Sequence, residues 1–398
     1  MKQRILSFAL CLLFGATMLA AQEGPGQPRP AWAQGLPGWG VMLVATRPPK
    51  TALERLEWKR EFLVGQDAKD NIYVFDAAAG RLLEFGPGGD QRGDTVIPNW
   101  KAMQAETLAG FAVDGRGDTF AYSQRAQVVR FHRRGVAARV GVPTWVTGLA
   151  WRGGELVAAR LPVVFSRSQD RKLSIARAKE LVSPLDGKGS FGGSLVEADD
   201  AEGASPMAIA LTQRVLVAAD RGGALWVVDQ FRLYRVRRFS PYGGGVQEWT
   251  DAEIKAPVSF TQEGEKPKEL AMFTPEAQKG YQPLHAPIVV RDVVARDGLA
   301  FVLTDPKALG DLPVIDIFAA PEEGPLWRIG LRIQSGAIYG QLAVTEHGFW
   351  LFPITAGERV QWVDRVPDFV VHQSRAAAFG SAETAPPPPE ESPVPNRP

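Results

Sequence analysis

The stretch that decides the fold is Asp67-Ala-Lys-Asp-Asn-Ile-Tyr73, a polar turn that leads into an apolar run. The same spacing returns in Asp114-Gly-Arg-Gly-Asp-Thr-Phe120 and in Asp220-Arg-Gly-Gly-Ala-Leu-Trp226. Each time an aspartate precedes an aromatic residue by six positions, between two short apolar runs. This is the pattern of a β-hairpin. A hairpin that recurs along a chain indicates a repeat protein built from similar small sheets.

Six units of this kind follow one another. Their second strands open at Tyr73, Phe120, Val157, Trp226, Phe301 and Trp350. The spacings between these anchors are 47, 37, 69, 75 and 49 residues, whereas a propeller blade takes roughly 40–50. The two long spacings predict insertions at about residues 166–204 and 242–287. Small sheets bury their apolar faces by packing around a ring, so the predicted fold is all-β, a six-bladed β-propeller of antiparallel strands with disordered termini.

The ring must also be closed, and propellers usually build one blade from both ends of the chain. Residues 41–45 form an apolar run that precedes the first unit and has no local partner. The sequence therefore predicts that this run pairs as an outer strand beside residues 360–363 in the last blade.

One unit resembles a known family. Residues 71–86 combine Ile-Tyr-Val-x-Asp with a following Arg-x-x-x-Phe, and this is similar to the blades of NHL-type and bacterial six-bladed β-propeller proteins. Residues 314–331 look like a late blade of the same families. The resemblance implies a ring with a central channel, and it implies no particular chemistry.

The N-terminus has the pattern of a secretory signal. Lys2 and Arg4 precede a mostly apolar run at residues 5–20, and small residues stand before Gln22. The predicted organisation is a signal peptide (1–21), a linker (22–37), the propeller (38–372) and a proline-rich disordered tail (373–398). The protein is expected to be secreted or periplasmic, with no membrane span after signal removal. The only cysteine, Cys11, lies in the signal, so the mature chain is expected to have no disulfide.

The overall charge gives little support to an anionic partner. The chain carries 45 basic and 44 acidic residues, for a formal net charge of +1. This removes the usual electrostatic argument for nucleic acid. The expected partner is a protein or a peptide, and the expected state is a monomer.

The residue that leaves the second strand of each blade usually faces one rim of the ring. These positions hold Asp76, Ser123, Arg160, Asp229, Thr304 with Asp305 after it, and Pro353. The acids, the base and the hydroxyls among them could bind a polar ligand or a peptide. The alternative is that they are solvated turn residues, and the sequence leaves both open.

The recurring Asp67, Asp114 and Asp220 admit two interpretations. They could bind a metal, or they could accept hydrogen bonds from backbone amides within tight turns, which their position favours. Lactonase-like propellers hold calcium with Glu, Asn and Asp, but after the signal this chain has only three asparagines, at positions 71, 99 and 396. The four histidines show no metal-ligand spacing, and no Gly-x-Ser-x-Gly sequence occurs. No catalytic residue, metal site or cofactor is predicted, and calcium is the weaker alternative.

Three functional hypotheses follow. The first is a non-enzymatic binding or scaffold protein of the cell envelope that presents rim loops, above all the insertion at 242–287, to a protein or peptide. The second is a lactonase-like or hydrolase-like enzyme, or a small-metabolite binder, with a divalent ion at the channel mouth. The third is a surface protein tethered by its proline-rich tail.

Overall fold

The computed structural model describes residues 38–44, 48–102, 109–167, 173–199, 213–231, 233–241, 245–255, 288–306 and 312–364. The predicted signal peptide, linker and tail lie outside these ranges, as do residues 256–287 of the second predicted insertion. Within them, no helix is long and apolar enough to cross a membrane.

The strands fall into six small sheets, and a first strand, β1 (Gly38–Val44), precedes them. Blade 1 contains β2 (Phe62–Gln66), β3 (Ile72–Asp76), β4 (Arg81–Phe85) and β5 (Gln91–Val96). Blade 2 contains β6 (Ala109–Val113), β7 (Phe120–Gln124), β8 (Gln127–His132) and β9 (Gly135–Gly141). Blade 3 contains β10 (Val146–Arg152) and β11 (Glu155–Arg160), then a separate hairpin of β12 (Val163–Arg167) and β13 (Leu173–Arg177), then β14 (Glu180–Leu185) and β15 (Val196–Glu197).

Blade 4 contains β16 (Val215–Ala219), β17 (Leu225–Asp229), β18 (Leu233–Phe239) and β19 (Val246–Lys255). Blade 5 contains β20 (Val290–Arg296), β21 (Leu299–Thr304), β22 (Val314–Phe318) and β23 (Trp327–Ile333), with a short 3-10 helix at Pro321–Glu323. Blade 6 contains β24 (Tyr339–Val344), β25 (Gly348–Pro353) and β26 (Gln361–Asp364).

The six sheets form a ring. The first strand of each blade contacts the first strand of the next, in the order β2, β6, β10, β16, β20 and β24, and β24 contacts β2 again. Neighbouring strands within each blade pair antiparallel. The predicted six-bladed β-propeller is therefore confirmed, with the first strands around a central channel.

Apolar side chains between adjacent blades hold the ring together. Between blades 1 and 2, the ring of Phe75 stacks on Phe111 at a centroid distance of 5.2 Å and lies 4.9 Å from Phe131. Phe75 and Phe131 are fully buried. Aromatic pairs of this kind add about 0.5–1.5 kcal/mol beyond the burial of their surface, so inter-blade packing is a main source of stability.

The predicted partner of the N-terminal strand is wrong. β1 does not pair with residues 360–363; it runs parallel to β23 as the fifth strand of blade 5, from Gly38 opposite Trp327 to Val44 opposite Ile333. Met42 and Val44 are buried in the same apolar cluster as Val363. β1 thus pairs with the free edge of β23 while its side chains cover the neighbouring blade 6.

Two glutamines join the first and last blades instead of a shared strand. The side-chain oxygen of Gln341 accepts from the Val64 amide (2.8 Å), and its nitrogen donates to the Phe62 carbonyl (2.9 Å). Gln66 makes the reciprocal pair with Val344, donating to its carbonyl (2.6 Å) and accepting from its amide (3.1 Å). These four bonds satisfy backbone groups of two inner strands that face each other without forming a ladder.

The predicted insertions are shorter than expected. Residues 180–185 and 196–197 belong to blade 3 itself as β14 and β15, so the inserted structure described there is the hairpin of β12 and β13. Residues 246–255, placed in the second insertion by the sequence, form the outer strand of blade 4. The spacing rule located the extra residues but could not divide them between blade and insertion.

Deleting residues 38–46 is expected to lower the melting temperature by about 5–10 °C. The deletion exposes the edge of β23 and removes two buried apolar side chains, each worth about 1.5–3 kcal/mol. Differential scanning calorimetry measures the change, and deletion of the predicted tail, residues 373–398, is the control that should leave the melt in place. An equal melt for both deletions would contradict a structural role for β1.

Candidate ligand site in the central channel

The six rim residues predicted from the sequence lie at the ends of second strands and are all buried. They are Asp76, Ser123, Arg160, Asp229, Thr304 and Asp305. This end of the channel lies opposite the turns that join the first and second strands of each blade. Pro353 ends β25 at the corresponding place in blade 6.

Each of these residues has partners in its own region of the ring. Asp76 accepts from Lys59 Nζ (2.9 Å) and from the Ala79 amide (2.9 Å). Ser123 Oγ accepts from the Gly110 amide (2.9 Å), and Thr304 Oγ1 accepts from the Val314 amide (3.1 Å).

The charged members are paired in the same way. Asp229 contacts Arg237 and lies 2.8 Å from Arg235 Nη2, and Asp305 accepts from Arg291 Nε at 2.8 Å. Burial raises the pKa of Asp229, and the two arginines oppose that shift.

Arg160 packs its guanidinium over the Phe191 ring at 4.2 Å and lies 3.4 Å from Glu180. Burial lowers the pKa of Arg160, and Glu180 opposes this. The six rim residues are therefore buried and engaged with partners within the protein, and their binding role stays a prediction.

A different feature of the channel has the shape of a binding site. A cavity of about 700 Å³ lies between the first strands of the blades. Its walls combine apolar and polar surface in about equal parts: Phe111, Leu149, Trp151, Val217 and Leu342 line it together with charged side chains. Pockets for small ligands are typically about 300–1,000 Å³, mostly apolar, with a few polar groups. The volume of the cavity falls within this range.

The turns between first and second strands form one end of the cavity, here called the mouth (residues 67–71, 114–119, 153–154, 220–224, 297–298 and 345–347). The recurring aspartates cap these turns, as the sequence favoured. Asp67 Oδ1 accepts from the amides of Lys69 (2.8 Å) and Asn71 (2.9 Å), and Asp114 and Asp220 accept from amides of their own turns. Tyr73 donates a hydrogen bond from its hydroxyl to Asp67 (3.0 Å). The pKa of Tyr73 is raised, mainly by burial and also by the negative charge of Asp67.

An ion-pair network covers one side of the mouth. Asp70 of blade 1 accepts from Arg221 of blade 4 (3.1 Å) and lies 2.9 Å from Arg296 of blade 5. Asp297 completes the network at 3.1 Å from Arg296 and 3.7 Å from Arg221. Burial raises the pKa of Asp70, and the two arginines act in the opposite direction. These contacts connect opposite sides of the ring and narrow the channel there.

The other side of the mouth is open. In blade 3 the turn is Gly153-Gly154, both exposed and both with positive φ (56° and 90°), and a side chain at either position would meet no atom within 4 Å. The neighbouring turn in blade 2 carries the exposed Arg116. Trp151 lies just below, in the cavity wall. The turn of blade 3 therefore places no side chain over this part of the mouth.

One carboxyl group in the cavity wall was missed by the sequence analysis. Asp292 lies in β20, where the pairing with β21 shifts register between Val290 and Asp292. Its oxygens accept from the amides of Val293 (2.8 Å) and Leu342 (2.7 Å). Burial raises its pKa to about 7, and the two amide hydrogen bonds oppose the shift. A single aspartate inside the apolar run at 289–295 was the available signal.

The cavity lining is acidic. It includes five carboxyl groups, from Asp67, Asp70, Asp114, Asp220 and Asp292, and three guanidinium groups, from Arg116, Arg221 and Arg296. Among the described residues, no group of three or more His, Cys, Asp or Glu side chains is arranged to hold a metal ion. The calcium alternative stays a prediction.

No family model and no curated protein matches this chain. Solved structures of six-bladed propellers are similar to it. Virginiamycin B lyase from Staphylococcus aureus is 9% identical, with a TM-score of 0.40 over 77% of this chain and 96% of that one. The PQQ-bound aldose sugar dehydrogenase from Streptomyces coelicolor is 12% identical, with a TM-score of 0.42 over 79% and 96%. Propellers of unrelated function share a fold at such identities, so the NHL resemblance stays a prediction.

Proposed function

We propose that this protein is an exported binding protein that holds a small ligand in its central channel. The observation that supports the proposal is the cavity of about 700 Å³ between the first strands, lined by apolar side chains and by charged groups. Export follows from the predicted signal at residues 1–21. This is the small-metabolite form of the second hypothesis, without a requirement for a metal.

The chemistry of the lining favours binding over covalent catalysis. The residues that line the described cavity include no serine, threonine, cysteine, histidine or lysine, so carboxylates are the side chains there that could act as a nucleophile or a base. The polar groups at the mouth are held in turn caps and ion pairs. A preformed pocket of this kind selects a ligand by shape and charge.

The rim hypothesis has less support from the geometry. Arg160 and Asp229, two of the charged residues predicted at the rim, are buried and paired. Their replacement would remove structural contacts as well as any ligand contact. The partner loop predicted at 242–287 falls mostly outside the described residues, so a protein partner at the rim stays a prediction.

Filling the cavity is expected to abolish ligand binding. Val217 on β16 lines the cavity and is only partly buried, so Val217→Phe places a ring inside the channel. We expect at least a tenfold loss of affinity for any small molecule that binds there. The probes are tyramine, 4-ethylphenol and 3-(4-hydroxyphenyl)propionate. Isothermal titration calorimetry measures the affinity of the protein for each of them.

The matched control is Val96→Phe. Val96 belongs to the outer strand of blade 1 and is 68% exposed, so the same substitution there leaves the channel unchanged. Equal affinity of Val217→Phe and Val96→Phe for every probe that binds would show that the cavity is not the site.

A further inference from the structure

We infer that the ligand of the cavity is a small organic cation with an apolar body, whose amine or amidine group is bound by the carboxylate of Asp292. This inference rests on the proposed function, because it requires that the cavity is a binding site. It adds the chemical class of the ligand and the residue that selects it.

Asp292 lies well inside the channel. It precedes Arg296 by four residues on β20, and Arg296 is at the mouth. A strand rises about 3.3 Å per residue, which places Asp292 about 13 Å below the mouth. A ligand that reaches it must be enclosed by the cavity, and this favours a small molecule over a folded partner.

The carboxylate of Asp292 can accept further hydrogen bonds. Each oxygen receives one backbone amide, from Val293 and Leu342, and a carboxylate offers about four lone-pair positions. The two amides fix the orientation of the group without neutralising it. Lone pairs therefore remain for a donor that comes from the cavity.

No cationic side chain of the described residues contacts this carboxylate. The adjacent Arg291 is engaged with Asp305, and the forces that shift the Asp292 pKa are burial and the two amides alone. Asp292 is only partly exposed in the cavity wall. A carboxylate shielded from bulk water without a counter-charge is costly, and it either takes up a proton or pairs with a cation. A cationic ligand supplies that partner.

The elements packed against β20 supply no competing cation. Besides Asp292, the titratable or charged groups on β20, on β16, β17, β21 and β24 and at their ends are Arg214, Asp220, Arg221, Asp229, Arg291, Arg296, Asp297, Asp305 and Tyr339. Arg214 packs over the Phe231 ring at 5.2 Å, and Asp297 pairs with Arg296. Arg296 and Arg221 pair with Asp70, and Asp229 pairs with Arg235 and Arg237.

The remaining groups do not balance the charge of Asp292 either. Asp220 accepts from the Ala224 amide, and burial raises its pKa. Burial also raises the pKa of Tyr339 to about 12, so its hydroxyl is neutral at pH 7. With five carboxyl groups against three guanidinium groups in the lining, the cavity as a whole favours a positive ligand.

The walls indicate the rest of the ligand. Phe111 and Trp151 line the cavity on the side of blades 2 and 3, and Trp151 is also covered by Arg130 at 5.7 Å from its ring. Aromatic and aliphatic surfaces gain from burying an apolar body. A molecule with one cationic end and one apolar end matches both parts of the cavity.

The test compares three probes that share an aromatic body and differ in charge: tyramine (cationic), 4-ethylphenol (neutral) and 3-(4-hydroxyphenyl)propionate (anionic). Titration calorimetry is run with wild-type protein, with Asp292→Asn and with the control Asp94→Asn, an exposed carboxyl of β5. We expect tyramine to bind best, at least a tenfold loss in Asp292→Asn, and no change in Asp94→Asn.

The pH dependence of the wild-type protein provides a readout that needs no variant. Because the pKa of Asp292 lies at about 7, tyramine should bind about tenfold more weakly at pH 6 than at pH 8, while 4-ethylphenol should not change. Amines of this type stay protonated over that range, with pKa values of about 10.

The outcomes separate the two proposals. If 4-ethylphenol or the propionate binds as tightly as tyramine, and Val217→Phe abolishes that binding, the inference that the ligand is a cation is wrong. The proposed function of the cavity then stands. If none of the three probes binds at millimolar concentration, both are contradicted. Tyramine binding that is independent of pH in the wild type overturns the role of Asp292 even if Asp292→Asn fails to fold.

Discussion

Replacing Asp316 by alanine is expected to lower the free energy of unfolding by about 3–5 kcal/mol, the cost of leaving a buried charge without its partner. Asp316 on β22 is fully buried and accepts from Arg328 Nε and Nη2 on β23, both at 2.6 Å. Tyr234 on β18 of blade 4 donates its hydroxyl proton to the same carboxylate at 2.7 Å. The substitution removes two hydrogen bonds from the buried guanidinium group and one from the Tyr234 hydroxyl at the interface of blades 4 and 5.

An exposed pair of the same chemistry is the control. Arg81 donates to Asp94 at 2.8 Å in blade 1, but the two side chains are 48% and 38% exposed. Surface pairs contribute about 0–1 kcal/mol, so Asp94→Ala should lose at most about 1 kcal/mol. Urea unfolding followed by tryptophan fluorescence measures both variants. Equal losses would show that burial does not set the strength of the Asp316 pair.

The ligand-free protein is expected to lose about 3 kcal/mol of stability between pH 5 and pH 8 through Asp292 alone. Burial raises its pKa from 3.8 to about 7 in the native state. Between these two values the native state holds a proton that the unfolded state has released, so stability falls as the pH rises. This loss of stability is complete once the pH is above the pKa of Asp292 in the native state.

The measurement is the difference in unfolding free energy between wild type and Asp292→Asn, by urea titration at pH 5 and pH 8. The difference is needed because burial also raises the pKa of Asp70, Asp220 and Asp229, which act in the same direction. We expect the variant to lose about 3 kcal/mol less than the wild type. Parallel pH dependences in the two proteins would be incompatible with a buried, titrating Asp292.

The hairpins could be predicted because their signal is local. Asp67 and Tyr73 stand six residues apart and meet within one turn, with the tyrosine hydroxyl 3.0 Å from the carboxylate. Phe120 and Trp226 open or lie in second strands as predicted. A turn and the two strands that it joins are specified by residues close together in the chain, so the sequence alone predicts them.

The rim residues show where local reasoning ends. Asp76 does stand at the end of a second strand, but its partner Lys59 comes from a segment before β2 that no spacing rule selects. An exposed binding residue and a buried, paired residue have the same position in the repeat. Only the packing of side chains separates them.

What the sequence alone determined is the repeat, and with it the six-bladed ring and the capped turns, because each hairpin is specified by residues close together in the chain. Tertiary structure decided the rest. β1 pairs with β23 far along the chain, Asp70 meets Arg221 across the channel, and Asp292 is shielded from bulk water by the strands around it. Burial and charge pairing arise between distant segments, so the candidate site exists only in the closed ring.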